Sequence, residues 1–523
     1  MTVTTDLQSI RAIPKPRARW EGPSFILCAA VVTGLLSLLP LAFVLYVALT
    51  SGWQAIADLV LRPKVGTLLL NTSALLAIVL PVSAVLALAF AWLIERTDIP
   101  FARFWSWIMV APLAVPAFVH SYAWSAFAPR FHGLGAAVLV SILAYLPFIY
   151  LPIAAQLRRL DPALEETAQS MGKSPPIVFL RVVLPQLRLA IMGGALLIGL
   201  HLLAEYGLFV LTRFDTFATV IVDQFQSVGN GPSTNLLGGV LVLLCLILFG
   251  LETRLRGRER YARVGAGAAR SRRRSTLGRW TWPALTLCGS FALLSLAVPA
   301  WTLLRWLASG GAEIWRFDFI LPALGQTALL TLSGAALTTM AALPIAWLTV
   351  RAPSRLQKLL EAAHSYVGAL PGIIIALALV TVTVNVYLPL YQTVAILLFA
   401  YVLMFLPRAL VGLRTSIAQA PVELERAATS LGRPLSAIWH TTIRLAAPGA
   451  LASAALVGLG ITTELTATLM LAPNGTRTLA MRFWAHTSEL DLAMAAPYAL
   501  LMVLLSVPLV VLLHGGADRM GQA

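Results

Sequence analysis

The stretch EETAQSMG (Glu165–Gly172) returns as ERAATSLG (Glu425–Gly432), 260 residues further on and in the same frame. Both copies are polar, yet the chain is 59% hydrophobic and only 11% charged. A soluble chain carries about 25% charged residues. The mean hydropathy of +0.83 belongs to a membrane protein. Working outward from the two phrases, twelve mostly apolar runs can be marked, at about 25–49, 67–94, 104–127, 133–156, 187–212, 236–253, 281–303, 323–350, 359–384, 390–413, 449–470 and 491–514. Each is long enough to cross about 30 Å of hydrocarbon as a helix. The runs are continuous rather than alternating, which excludes a membrane β-barrel. The fold class is therefore an all-α membrane protein of about twelve transmembrane helices.

The formal charge of +16 does not point to nucleic acid. With both termini placed in the cytoplasm, 29 Lys and Arg fall in cytoplasmic segments and 8 outside, with Arg408 near a span end. That asymmetry is the one that orients membrane helices. Arg11, Lys15, Arg17 and Arg19 precede a first span too long for a signal-peptide core, so it reads as a retained anchor. Cys28, Cys245 and Cys288 all lie inside spans, without metal-ligand spacing.

The twelve spans divide into two sets of six, 1–253 and 281–523, joined by an Arg-rich stretch, 254–280, that reads as a cytoplasmic linker. Trp92 matches Trp347, Arg96 matches Arg351 and Pro116 matches Pro371, each at a shift of 255. An even number of spans leaves both copies in the same orientation. The halves are then parallel repeats about an axis along the membrane normal. Pro116 and Pro371 are expected to kink their spans.

Both polar phrases fall between the fourth and fifth spans of their halves, in loops 158–188 and 414–448. Asp161 suits an N-cap, Pro162 the first turn and Gly172 the stop. This predicts a short helix over 162–171 and, by the same logic, another over 421–431 ending at Gly432. Glu165 and Glu425 stand toward the N-termini, where the helix dipole favours acids. Helices this short are marginal alone in water and need a surface to dock on. Ala168, Ala427 and Ala428 offer a small-residue face for a groove on a partner. MGKS at Met171 is not a phosphate-binding loop, because Thr167 stands where its first Gly is required.

EETAQSMG, with LP thirteen residues after its Gly, and ERAATSLG in the matching loop resemble the EAA loops of ABC-importer permeases, here as two fused halves. The resemblance implies that Glu165, Ala168, Gly172, Glu425, Ala428 and Gly432 couple the spans to two copies of a cytoplasmic ATP-binding subunit. It implies a periplasmic substrate-binding protein, a bacterial inner-membrane location, and ATP and Mg bound by the partner ATPase with no cofactor on this chain. The chain itself is then a transport subunit, not an enzyme. In the second loop LP is replaced by Ile443–Arg444, so the two docking sites need not be equal.

Charges inside spans are costly and mark a pathway or a partner. Glu205 and Glu464 lie in the fifth span of each half, at a shift of 259. Across a two-fold axis they would face each other and, with Tyr206, offer hard oxygen atoms to a small, highly charged metal ion. The alternative is a packing pair or a buried protonated acid. His201, one turn before Glu205, reads as a hydrogen-bonding residue rather than a metal ligand. AEYGLFVLTRFDTFATVIVDQF (from Ala204) and TELTATLMLAPNGTRTLAMRFWAHTSE (from Thr463) resemble fused permeases of ferric-iron importers. A fused permease for thiamine, a polyamine or an organophosphonate stays open, as does a secondary transporter with two six-span halves.

Overall fold

The computed structural model describes residues 24–160, 162–229, 231–256, 274–351, 355–368, 370–431 and 442–522. Asp161, most of the Arg-rich stretch and Gly432 lie outside the described residues. The described chain is helical, with one isolated bridge between Thr97 and Ser275 in place of any sheet. Among the described residues nine helices are long and apolar enough to cross a bilayer, and three bent pairs raise the number to twelve if each pair is one span.

Two of the bent pairs turn further than a kink, at the two expected prolines. The 104–127 run turns by 93° between Ala102–Ala114 and Ala117–Phe127, and the 359–384 run by 102° between Leu356–Gly368 and Gly372–Val386. Pro116 and Pro371, expected to kink, are instead the N-cap residues of new helices, with extended ψ of 144° and 145°. A proline ring fixes φ and offers no N–H, so it opens a helix more readily than it continues one. The runs 187–212 and 449–470 are also broken. Their long helices end at Ala204 and Thr462, and short ones begin at Gly207 and Thr466.

Close packing within each half depends on small residues, as in membrane bundles generally. A Cβ at Gly194 would stand 2.7 Å from Ile149 Cα, so helices Leu184–Ala204 and Pro147–Arg159 touch there through backbone. In the second half, Gly412 and Gly449 take the Ser453 and Ser416 side chains between helices Val394–Gln419 and Arg444–Thr462.

The two sets of spans are interleaved. Helix Ser24–Ser37 packs on Phe317–Arg351 and Arg355–Gly368 rather than on its own neighbours. Reciprocally, Ala284, Cys288 and Phe291 of helix Thr281–Ala292 join a core built mostly from residues of the first half, where Phe291 meets Phe90 at 5.3 Å between ring centroids. The Tyr122 hydroxyl donates to Leu492 O at 2.6 Å, and Thr302 Oγ1 to Ala123 O at 3.3 Å, across the same divide. Helix Pro232–Arg256 extends past the expected boundary at 253. The end of the Arg-rich stretch is pinned back on the first half: Ser275 N–H donates to Arg96 O at 2.9 Å and Leu277 N–H to Asp98 Oδ1 at 2.8 Å.

Candidate functional site: a cavity at the paired helix breaks, and two anchored polar helices

The two polar helices form where expected, over Pro162–Ser170 and Val422–Ser430. Gly172 ends the first with φ +78°, a conformation that favours glycine, and Lys173 N–H returns to Ala168 O at 3.2 Å. Each helix is held by an arginine from the end of a long helix. Arg96 Nη1 lies 3.5 Å from Glu165 Oε1, and Arg351 Nε lies 3.0 Å from Glu425 Oε1. Both arginines also donate to backbone just ahead of the polar helix, Arg96 to Leu157 O at 2.8 Å and Arg351 to Ala420 O at 2.7 Å. Thr442 adds a hydroxyl to Glu425.

Glu165 and Ala168 are thereby buried, and the face left exposed on the first helix is Ala163, Glu166, Thr167, Gln169 and Ser170, followed by Met171. The small residue Ala168, expected on the outer face, packs inward; Ala427 stays exposed. The pairing of Arg96 with Glu165 and of Arg351 with Glu425 was not anticipated. Its signal was present: two arginines and two glutamates recur at almost the same shift.

Glu205 and Glu464 do come together. Both line one cavity of about 400 Å³ that is bounded by both halves. Neither sits within a helix. Each stands at the break and caps the short helix that follows: Leu208 N–H donates to Glu205 Oε1 at 3.0 Å, and Ala467 N–H to Glu464 Oε1 at 2.9 Å. The Tyr145 hydroxyl donates to Glu205 Oε2. The turns opening at Pro116 and Pro371 line the same cavity, so all four helix breaks converge on it. Tyr206 does not join them; it packs against Trp484 at 5.1 Å between ring centroids.

The cavity has a third charge that sequence reading passed over. Arg408 lines it, with Nη2 at 3.0 Å from His201 Nε2 and its guanidinium 5.1 Å over the Phe405 ring. His201 Nδ1 lies 2.7 Å from Leu197 O. Nδ1 therefore carries the proton and Nε2 accepts from Arg408. This breaks the repeat. At a shift of 260 the counterpart of Arg408 is Phe148, which stacks on His201 at 4.6 Å. Near the counterpart of His201 stands Gly460, where a Cβ would meet Phe405 at 2.4 Å and Arg408 Nη1 at 2.9 Å. Glycine there makes room for the arginine. Among the described residues no three His, Cys, Asp or Glu are grouped to hold a metal ion.

Comparison with known proteins fits this architecture. Residues 334–522 match the family described as binding-protein-dependent transport system inner membrane component. The Fe(3+)-transport system permease FbpB 2 of Haemophilus influenzae is 35% identical over 489 residues, covering 92% of this chain and 96% of that protein. The ferric transport system permease FbpB of Actinobacillus pleuropneumoniae is 21% identical over 72% of this chain and 58% of its own length. The sulfate transport system permease CysW of Escherichia coli is 22% identical, and 97% of it aligns with 50% of this chain. Permeases of this kind are multi-pass transport subunits that work with an ATPase and a periplasmic binding protein. The chain belongs to the binding-protein-dependent transport system inner membrane component family, as an ABC-importer permease.

Proposed function

We propose that the chain is the membrane subunit of an ATP-driven importer of ferric iron, received from a periplasmic binding protein. Two carboxylates, one from each half, meet in one cavity at matching helix breaks, and this observation carries the reading. Carboxylate oxygens suit small, highly charged metal ions. The 35%-identical relative is an Fe(3+)-transport system permease, which supports the same cargo.

Residues 1–253 and 281–523 act as two permease halves with both termini in the cytoplasm. Two copies of the ATPase bind the helices Pro162–Ser170 and Val422–Ser430, one copy each, and carry ATP and Mg. Glu165, Ala168, Gly172, Glu425, Ala428 and Gly432 serve this coupling, Glu165 and Glu425 by tying their helices to Arg96 and Arg351, while Glu166, Thr167, Gln169, Ser170 and Met171 supply the first docking face. Glu205 and Glu464 line the translocation pathway, and Tyr206 supports them from outside the cavity. The test is uptake of labelled ferric iron against labelled thiamine in cells with and without the chain, its ATPase and its binding protein present. Chain-dependent iron entry is expected; chain-dependent thiamine entry without iron would overturn the cargo and leave the architecture standing.

A further inference from the structure

A bare trivalent cation is a poor fit for this cavity. A small, highly charged metal ion needs about six donor atoms. Three of the four oxygens of Glu205 and Glu464 already accept hydrogen bonds, from Leu208 N–H, Ala467 N–H and the Tyr145 hydroxyl. His201 Nε2 is occupied by Arg408, so the imidazole is not free to ligate. Arg408 adds a fixed positive charge that repels a cation. The volume of about 400 Å³ falls within the roughly 300–1,000 Å³ of small-molecule sites, far more than one ion fills.

The donors in the cavity call for anionic oxygen. A guanidinium carries five N–H groups in a planar fork, and one is used by His201. The helices Ala117–Phe127 and Gly372–Val386 present their opening turns to the same space, with no side-chain cap on either. Opening N–H groups lack partners within the helix and carry partial positive charge. The mixture is two carboxylates, one guanidinium and two helix N-termini around a single space. It complements a cargo that is cationic at its centre and anionic at its edge.

We propose that the cavity takes ferric iron still complexed by an oxyanion or hydroxycarboxylate, with Arg408 engaging the ligand's anionic oxygens while Glu205 and Glu464 face the metal. This rests on the ferric reading above. His201 positions Arg408 by accepting its N–H, and Gly460 provides the space for the guanidinium. The cargo's own ligand supplies the donor atoms that the chain does not.

The test uses the complete transporter with its ATPase and binding protein in proteoliposomes. Iron carries one radiolabel, and the companion ligand, phosphate in one arm and citrate in the other, carries a second. The expected result is entry of at least one ligand label with iron in a fixed ratio. R408Q should reduce that joint entry at least ten-fold, and R408K, which keeps the charge, should reduce it less. Unfolding temperatures close to wild type for both variants exclude misfolding as the cause. Iron entering while both ligand labels stay outside, or at wild-type rate in R408Q, overturns the proposal and leaves the ferric reading intact. Ligand entry independent of iron likewise overturns the proposal, and no chain-dependent iron entry in either arm overturns the ferric reading itself.

Discussion

At the scale of single residues, Glu205 and Glu464 each have two tasks that can be separated. One oxygen caps the next helix and the charge faces the cavity. Glutamine keeps a carbonyl oxygen for the cap and removes the charge. The E205Q/E464Q double variant is expected to slow uptake severalfold while uptake per ATP hydrolysed stays near wild type. Unchanged uptake kinetics in proteoliposomes would make the pair a packing feature. Gly194 offers a sharper steric test. Gly193 and Gly194 are neighbours in one helix, and alanine raises intrinsic helix propensity equally at both, by about 1 kcal/mol. Gly193 has open space around it, whereas a Cβ at Gly194 meets the Ile149 backbone. G194A should therefore lower thermal stability in detergent by about 1–3 kcal/mol relative to G193A; equal unfolding temperatures would refute the contact. The glutamates could be read from sequence because acids are rare in apolar runs. Arg408 could not be read as readily, because it lies near the end of its run, where a basic residue reads as topology, and its counterpart in the repeat is a phenylalanine.

At the scale of elements, the polar helices are short and depend on their anchors. Removing one partner of a buried ion pair costs about 3–5 kcal/mol, because the other charge stays buried. Glu165 is 3% exposed and Arg96 7%, so this regime applies to the first pair. R96A should speed amide hydrogen exchange across Pro162–Ser170 and weaken coupling of ATP hydrolysis to substrate. R351A should do the same across Val422–Ser430. Exchange at wild-type rates in both helices would show that the arginines do not hold them. Cap and stop residues made these helices legible in advance. The breaks at Pro116, Pro371, Glu205 and Glu464 were less so. Hydropathy registers whether a run is apolar, not whether it changes direction, and a break lined by protein keeps its apolar composition. The long-range partner of each polar helix was hidden for a related reason: the arginines and glutamates lie far apart in sequence, and only the repeat links them.

At the scale of the whole molecule, the interleaved first spans make a prediction about severed chains. Residues 1–256 and 274–523 expressed together should assemble and co-purify, because helix Ser24–Ser37 and helix Thr281–Ala292 each find their contacts on the other fragment. A tagged second fragment that fails to retain the first would contradict this interleaving. Parallel six-span halves were legible from matched residues at shifts of 255 to 260, and the full-length alignment of CysW with half of this chain agrees with them. The exchange of first spans was not legible, since nothing in an apolar helix announces which neighbour it will choose. Membrane helices associate through fit rather than through hydrophobic contrast with lipid.

That exchange also sets an order for biosynthesis. Helix Ser24–Ser37 leaves the ribosome long before Phe317–Arg351 exists. At roughly 5–20 residues per second, it waits on the order of tens of seconds in the bilayer without its final neighbour. Each set of spans then completes the packing of the other. Joining them in one polypeptide turns that encounter from a search across the membrane into a closure on a tether, at a local concentration that the linker sets.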